Sequence, residues 1–457
     1  MFSRVHSLVS IGYRTHPIVI ETHITKGLPY YTVVGLPSAV VRESKERVRS
    51  ALKFSGEVYP SDHITQSLFP AYEKKEGSQL DLPLAVGIFS ALHSIDVGSV
   101  IFLGELSLDG KIKSTRKLIH YIVSAPENTV FVLPRECEKE VASFGFKIKP
   151  FYYEDVKDLF QDLKNHIFID CRDLSDGFMQ YEEAKKLPDF SEVRGQNRAI
   201  RDLQIAAIGS FHTLIMGPPG CGKTMIANRF SGILPAPNQS ENIEISRIYG
   251  NRMINRRPVR TPHHSITKTA LAGGCKMGEI SKAHHGVLVL DEFGEYSKNT
   301  LETLREPLET GEIHISRAHD SMKFPAKFIL VATMNPCFCG RFSRYHHDCS
   351  CERNALLKYY SRLSWPLIDR MGVYIELEKV DLDMPYSKSS AELRTEVEEA
   401  IAFGRRYDAE NRYSYEFAED IKRIYENREI TLRSLNCVKR VAASIANLEK
   451  SVAITRE

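Results

Sequence analysis

The sequence predicts an α/β protein with a central parallel sheet, a second α/β domain before it and a small helical segment after it. Two observations carry most of this prediction. Short, almost wholly apolar runs alternate with helical stretches after residue 190, which is typical of a parallel sheet covered on both faces. Residues 391–457 show helical patterns only.

Residues 1–165 are predicted to form the first α/β domain. The runs 18–24 and 31–34 are rich in β-branched and aromatic residues, as strands are. Residues 38–54 have the spacing of a basic amphipathic helix, and residues 82–92 that of a buried helix.

The acidic, irregular stretch 166–190 is interpreted as a linker. The core domain is then predicted at 191–380 and the helical segment at 381–457. The predicted strands of the core are 213–216, 287–290, 328–332 and 373–377.

A phosphate-binding loop follows the first of these strands and opens a helix. Its pattern is G-x-x-x-x-G-K-[ST], in which glycines let backbone N–H groups approach phosphates. Lys223 is predicted to neutralise the β- and γ-phosphates, and Thr224 to place its hydroxyl on Mg²⁺. The predicted nucleotide contacts here are Gly217, Pro218, Pro219, Gly220, Cys221, Gly222, Lys223, Thr224 and Met225.

Two carboxylates end the second predicted strand. Asp291 suits Mg²⁺ ligation, and Glu292 suits orientation of an attacking water. The alternative is an acidic strand end that only caps the following segment. Asn335 follows the third strand and is a candidate for holding that water. Arg370 and Arg433 are candidates for charge stabilisation, although a lone arginine is usually a solvated surface residue.

Four cysteines lie close together after the third strand: Cys337, Cys339, Cys349 and Cys351. Four thiolates can bind Zn²⁺ tetrahedrally, and such an ion would pin the loop near Asn335. The alternative is four reduced cysteines without metal. His346 and His347 lie within the loop and could replace one ligand.

Residues 245–278 hold seven cations and no acidic residue. A segment of this kind is typical of contact with a polyanion such as DNA, and its candidate contacts are Arg256, Arg257, Arg260 and Lys268. The alternative is a solvated hairpin whose arginines pair with the next subunit.

The overall composition excludes several classes of protein. The chain has 61 lysines and arginines and 58 aspartates and glutamates. The resulting net charge of +3 is too small to indicate which kind of molecule the protein binds. No apolar run is long enough to span a membrane and no signal-peptide pattern opens the chain, so a cytoplasmic location is expected. Nine cysteines, an odd number in a long chain, do not suggest a disulfide framework.

Motifs spread over almost the whole chain resemble those of the ComM/YifB family of Mg-chelatase-like AAA+ ATPases. They include Val34-Gly35-Leu36-Pro37, Lys75-Glu76-Gly77-Ser78, Arg260-Thr261-Pro262-His263-His264-Ser265, Arg305-Glu306-Pro307-Leu308-Glu309 and Met334-Asn335-Pro336-Cys337-Phe338-Cys339-Gly340. The resemblance implies a Lon-protease-like first domain, an AAA+ module and a helical lid.

The resemblance also implies roles for single residues. Gly195 and Gln196 border the adenine, Asn335 is the first sensor and Arg433 the second. Arg370 is the arginine finger that acts on a neighbouring subunit, which implies a ring, expected to be a hexamer. Further insertions at 312–325 would project into the ring channel, where Arg317 and Lys323 would touch DNA.

The implied function is an ATP-driven helicase that promotes branch migration of homologous-recombination intermediates in natural transformation. An AAA+ protein remodeller or Mg-chelatase-like chaperone is the alternative. Peptidase activity is not expected, because Gln79 and Ile119 stand where a Lon-type site has its serine and lysine, with Ser78 and Lys117 as neighbours.

Overall fold

The computed structural model contains two compact units. One comprises Met1–Glu182 with Asn242–Ile254, and the other Glu183–Glu241 with Asn255–Glu457. The residues that the structure describes are 1–11, 14–71, 75–115, 118–144, 146–165, 188–249, 256–274, 277–316, 321–342, 349–380, 383–407, 412–426 and 431–455.

The first unit is built on a mixed sheet. Its strands are β1 Phe2–Ile11, β2 Arg14–Thr25, β3 Tyr30–Val34, β4 His63–Phe69, β5 Ile101–Phe102, β6 Glu105–Leu106, β7 Ile112–Lys113, β8 Val130–Pro134 and β9 Lys149–Tyr153. Within the described residues the main sheet has the order β3-β4-β2-β1-β5-β8-β9, and β6 pairs with β7 separately. Strand β2 runs antiparallel to β1 and β4, whereas the other neighbours in the main sheet are parallel.

Helices of the first unit cover this sheet. They are α1 Ala39–Phe54, α2 Asp81–His93, α3 Leu118–Val123, α4 Glu138–Ser143 and α5 Val156–Lys164. The predicted strands 18–24 and 31–34 and both predicted helices are confirmed. Helix α2 is buried from Asp81 to Ala91, as its almost continuous apolar sequence requires.

Residues 242–254 were expected within the core domain, but their contacts place them in the first unit. They include most of helix α8 Gln239–Tyr249. Ile243 packs against the apolar cluster of α3 and β8, which explains the assignment.

The second unit holds the predicted parallel sheet. Its strands are β10 Thr213–Met216, β11 Val259–Arg260, β12 Gly286–Leu290, β13 Glu312–Ser316, β14 Ser321–Pro325, β15 Phe328–Met334 and β16 Val373–Glu376. In the described part of the chain the order is β11-β12-β15-β10-β16, with every pair parallel. All four predicted strands are confirmed, and β13 and β14 form a separate antiparallel hairpin.

The helices of this unit flank the sheet or follow it. They are α6 Asn197–Gly209, α7 Lys223–Arg229, α9 Lys268–Ala272, α10 Glu279–Lys282, α11 Lys298–Glu302, α12 Arg305–Thr310, α13 Arg353–Tyr360, α14 Trp365–Ile368, α15 Ser390–Gly404, α16 Tyr415–Glu426 and α17 Leu432–Leu448. Helix α15 begins with a capping box in which Ser389 and Glu392 each bind the other's backbone N–H. Among the described residues no helix is both long and apolar enough to cross a membrane.

The parallel sheet decides which loops meet. Strands β10, β12, β15 and β16 all point the same way, so the segments that follow them share one edge. The phosphate loop, Asp291 and Asn335 come directly after these strands. Arg370 comes before β16 and therefore lies at the opposite edge.

Candidate nucleotide site

The phosphate loop occupies the turn between β10 and α7, as predicted. Gly217 must be glycine, because a Cβ there would lie 2.6 Å from the carbonyl oxygen of Leu377. Gly222 has φ = 94° at the N-cap of α7, a conformation that other residues rarely adopt. The loop thus presents the N-terminus of a helix, where backbone N–H groups favour an anion.

Lys223 is the first residue of α7, and its amine turns back into the loop. Nζ donates to the carbonyl oxygens of Gly217 at 2.8 Å and Pro218 at 2.9 Å. It also donates to Oδ1 of Asn335 at 2.9 Å. The structure therefore brings the predicted phosphate-binding amine and the predicted sensor side chain into direct contact.

The two residues predicted to hold Mg²⁺ also meet. The Thr224 hydroxyl donates to Asp291, at 3.1 Å from Oδ1 and 3.0 Å from Oδ2. Thr333, on the neighbouring strand β15, donates its hydroxyl to Asp291 Oδ1. Hydroxyl and carboxylate oxygens are the hard ligands that Mg²⁺ takes, so these side chains fit the ion. Thr333 was not among the predicted residues.

Glu292 comes directly after Asp291, and its own backbone lies in the left-handed region of φ/ψ space, with φ = 53°. Its backbone N–H donates to the Thr333 hydroxyl at 3.3 Å. Its Oε2 lies 2.9 Å from Nδ1 of His264. The carboxylate is therefore held by a side chain from another strand end, while 57% of it stays exposed.

The sequence predicts no role for His264, which stands within the motif at residues 260–265. A topological signal for it does exist. Strand β11 pairs in parallel with β12, so the segment after β11 meets the segment after β12, which contains Glu292. Because β11 is only two residues long and lies in a basic stretch, the sequence pattern does not indicate a strand there.

A cavity of about 470 Å³ lies beside the phosphate loop. Its lining includes Gln196 and Met225, both among the predicted nucleotide contacts. Gln196 is fixed by donating Nε2 to the Glu378 carbonyl oxygen at 3.0 Å. Gly195 adjoins it with φ = 63°, and a Cβ there would lie 2.2 Å from Val380. A cavity of this size next to a phosphate loop suits a purine base.

The two predicted arginines are together, but far from the phosphate loop of their own chain. Arg370 Nη2 lies 2.6 Å from Glu309 Oε2, and Arg433 Nη2 lies 2.5 Å from Glu309 Oε1. Arg370 precedes β16, so both guanidinium groups lie beyond the edge of the sheet at which β16 begins. The four-residue strand separates them from the phosphate loop by roughly 13 Å or more, beyond the reach of an arginine side chain.

The four cysteines form a compact cluster. The sulfurs of Cys337, Cys339, Cys349 and Cys351 all lie within 4.8 Å of one another, and all four carry free thiols. Backbone N–H donation from Arg341, helped by the thiol of Cys337, lowers the pKa of Cys339 to about 6. A set of four sulfur donors fits zinc. His346 and His347, the possible substitutes, lie outside the described residues.

The cysteine loop is tied to Asn335 through the helix that follows. Tyr359 on α13 donates its hydroxyl to the Asn335 carbonyl oxygen at 3.0 Å. Tyr360 donates to the Pro336 carbonyl oxygen at 2.6 Å. The last two residues of α13 thus hold the first two residues of the loop that carries the cysteines.

Two of the arginines proposed for DNA contact are paired within their own unit. Arg257 forms an ion pair with Glu241 at 3.1 Å, and Arg260 with Glu279 at 2.5 Å. The acid-free segment therefore obtains its counter-ions from residues just outside it. Of the remaining candidates, Arg256 is half-buried, Lys268 is exposed and Lys323 pairs with Glu312, while Arg317 lies outside the described residues.

The positions compared with a Lon-type peptidase hold no serine–lysine pair. Gln79 and Ile119 are both buried. The Ser78 hydroxyl donates to Glu105 Oε2 at 2.6 Å, so its partner is an acid, not a base amine. Lys117 lies outside the described residues.

The parallel sheet, the phosphate loop and the Thr224–Asp291 pair define a P-loop nucleotide-binding protein. Two family models match the chain: "Magnesium chelatase, subunit ChlI" over residues 189–384 and "Subunit ChlI of Mg-chelatase" over residues 20–137. The chain is 35% identical to the uncharacterized protein YifB of Escherichia coli over 82% of its own length and 76% of the relative. It is 36% identical to the competence protein ComM of Haemophilus influenzae, over 82% and 76%.

A more distant likeness covers half of the chain. An uncharacterized MCM-type protein of Methanocaldococcus jannaschii is 25% identical over 50% of this chain and 27% of its own length. The chain belongs to the ComM/YifB family of Mg-chelatase-like AAA+ ATPases.

Proposed function

We propose that this protein is an ATP-driven ring motor that acts on DNA and hydrolyses ATP at sites shared between neighbouring copies. The observation that carries the shared site is the separation of its parts. The phosphate loop, Asp291 and Glu292 lie at one edge of the sheet, while Arg370 and Arg433 lie at the other. A contact that joins two different edges is heterologous, and it generates a ring when the rotation between copies closes. The family resemblance implies that this ring is a hexamer.

Each group at the first edge has a chemical task in this proposal. The loop and Lys223 bind the phosphates, and Thr224 with Asp291 would hold Mg²⁺, which neutralises charge on the transferred phosphoryl group. Glu292 accepts a proton from the attacking water. Asn335, in contact with Lys223 at 2.9 Å, orients the water or the γ-phosphate.

Arg370 and Arg433 complete the site of the next copy. Phosphoryl transfer spreads negative charge over three oxygens, and an arginine from a neighbouring subunit stabilises that charge. Since both arginines lie at the same edge, we infer that the second sensor acts across the subunit boundary together with the finger.

DNA is the proposed load. The resemblance to the ComM/YifB family implies this choice, and the similarity to a relative named competence protein ComM supports it. In this proposal the protein promotes branch migration through sequence-independent phosphate contacts from cations such as Lys268. The first unit serves as a Lon-like scaffold without peptidase activity, and helices α15–α17 serve as the lid.

One observation favours a second candidate, a protein remodeller or chelatase-type chaperone. Arg257 and Arg260 are paired with Glu241 and Glu279, which lowers the net positive charge of the segment expected to meet DNA. A remodeller would be stimulated by a protein partner and would show no steep dependence of DNA binding on salt.

ATPase and branch-migration assays with branched DNA test the proposal. We expect DNA to stimulate hydrolysis, and Glu292→Gln to bind ATP but stall turnover and branch migration. Binding to duplex should weaken with salt at a log–log slope near −0.9 per neutralised phosphate. Failure to bind DNA at low salt, with hydrolysis indifferent to DNA, would refute DNA as the load.

A further inference from the structure

One carboxylate holds both of the arginines at the far edge of the sheet. Glu309 lies near the end of α12 and offers one oxygen to each guanidinium: Oε2 to Arg370 at 2.6 Å and Oε1 to Arg433 at 2.5 Å. The two arginines together lower the pKa of the Glu309 carboxyl, with Arg370 the larger cause. Glu309 is therefore ionised at neutral pH and carries the charge that lets two cations stand side by side.

The other contacts of the two arginines do not fix them equally well. Arg370 Nη1 donates to the Pro366 carbonyl oxygen, but its Nε is buried with no hydrogen-bond partner among the residues that the structure describes. Arg433 Nη1 has a long contact of 3.8 Å with Asp369 Oδ2. Glu309 thus provides the short charged contact that the two guanidinium groups share.

Glu309 also joins three separate pieces of the chain. It lies on α12, Arg370 lies in the turn before β16, and Arg433 is the second residue of α17. Asp369 strengthens this junction by accepting the Ser434 hydroxyl at 2.9 Å. The position of Arg433 relative to Arg370 is therefore fixed across a junction between the sheet domain and the C-terminal helices.

Stability alone does not account for this arrangement. The Arg433 and Glu309 side chains are 45% and 50% exposed, and an ion pair between exposed partners contributes little to folding. The Arg370 side chain is only 8% exposed, so Glu309 also compensates a buried charge, but that need does not explain why the same carboxylate takes Arg433. Bringing two guanidinium groups to one carboxylate is useful when both must meet one polyanionic ligand.

We propose that Glu309 is a positioning residue that sets the spacing of Arg370 and Arg433 toward the phosphates bound by the next copy. This inference rests on the proposed shared site. Glu309 itself touches neither nucleotide nor water, and acts only through the two arginines. Loss of its charge leaves Arg433 with its long contact to Asp369 and lets the two cations separate.

The test is Glu309→Gln in the full chain, with Glu306→Gln as the matched control. Glu306 lies on the same helix and pairs with His314, away from the arginines. We expect Glu309→Gln to lower kcat for ATP roughly 10- to 100-fold, because misplacing a catalytic group by about 1 Å has effects of this size. KM for ATP should change less than about twofold, because the phosphate loop of the same chain is intact. Glu306→Gln should leave both parameters at the wild-type values.

A double-mutant cycle separates positioning from a merely structural role. In an Arg370→Ala, Arg433→Ala background, Glu309→Gln should cause no further loss of kcat, since it has no arginine left to position. An additive loss in that background, or wild-type kcat in Glu309→Gln alone, would overturn the proposal. If Arg370→Ala retained full activity, the proposed shared site would itself be refuted, an outcome separate from failure of Glu309→Gln in an enzyme that needs Arg370.

Discussion

Mixing two inactive variants tests the shared site most directly. Lys223→Ala removes the phosphate-binding amine, and Arg433→Ala removes a cation at the opposite edge of the sheet. Because Arg433 reaches Glu309 beside Arg370, it cannot meet the phosphate loop of its own chain. Each variant alone should therefore be inactive, whereas an interface that joins an intact loop to an intact Arg433 should hydrolyse ATP.

The expected recovery follows from this geometry. In rings assembled at random from equal amounts of both variants, a given interface needs the loop from one variant and the arginine from the other. Half of the subunits supply each part, so about one quarter of the interfaces are productive, and activity should return to about 25% of wild type. If the loop and Arg433 of the same chain worked together, no interface would be productive.

The assay is steady-state ATP hydrolysis at constant total protein. Both variants are first dissociated into subunits by dilution or salt and then reassembled together. Light scattering should confirm that mixed rings form. A mixture of Lys223→Ala with a Lys223→Ala, Arg433→Ala double variant is the control and should stay inactive. Mixed rings without activity would refute the assignment of Arg433 to the neighbouring site.

Three further predictions concern other parts of the second unit. His264→Ala should lower kcat roughly tenfold and leave KM unchanged, because Glu292 loses the imidazole that lies 2.9 Å from its carboxylate and orients it. Steady-state kinetics measure both parameters, and an unchanged kcat would contradict this role of His264. Cys339→Ser should remove bound zinc, as measured by elemental analysis, and wild-type zinc content would show that the cluster is not the site. Burial, with smaller effects from Arg440 and Arg370, lowers the pKa of His212 from 6.5 to about 4, so the folded chain keeps it neutral while the unfolded chain protonates it. Unfolding free energy should therefore fall by up to about 3 kcal/mol as pH drops from 6.5 to 4 and stay flat above 6.5, and urea titrations should show a smaller fall in His212→Gln.

The sequence predicted those parts of the site that lie close to a strand end in the chain. Apolar runs of four or five residues marked the strands, and the residues directly after them had to meet at one edge of a parallel sheet. The contacts of Lys223 with Asn335 and of Thr224 with Asp291 follow from that rule. The clustering of the four cysteines likewise needed only their short spacing in one loop.

Local spacing gave no comparable information about partners that come from distant segments. His264 contacts Glu292 because it follows β11, a strand of only two residues whose basic surroundings do not resemble a strand. The counter-ions of Arg257 and Arg260 lie just outside the segment that holds them, so counting charges within it overstated its free positive charge. Ile243 packs against the apolar cluster of α3 and β8 in the first unit, although helix α8, which carries it, begins in the second.

The sequence by itself determined the kind of site, because the phosphate loop, the carboxylates after a strand and the cysteine cluster are each formed by residues close together in the chain. The tertiary structure decided which edge of the sheet each arginine occupies. It also pairs both arginines with Glu309, which the spacing of these residues in the sequence could not indicate. The physical reason is that residues before and after a strand lie at opposite edges of the sheet. Only the packing of α12, the turn before β16 and α17 brings the charges of Glu309, Arg370 and Arg433 together.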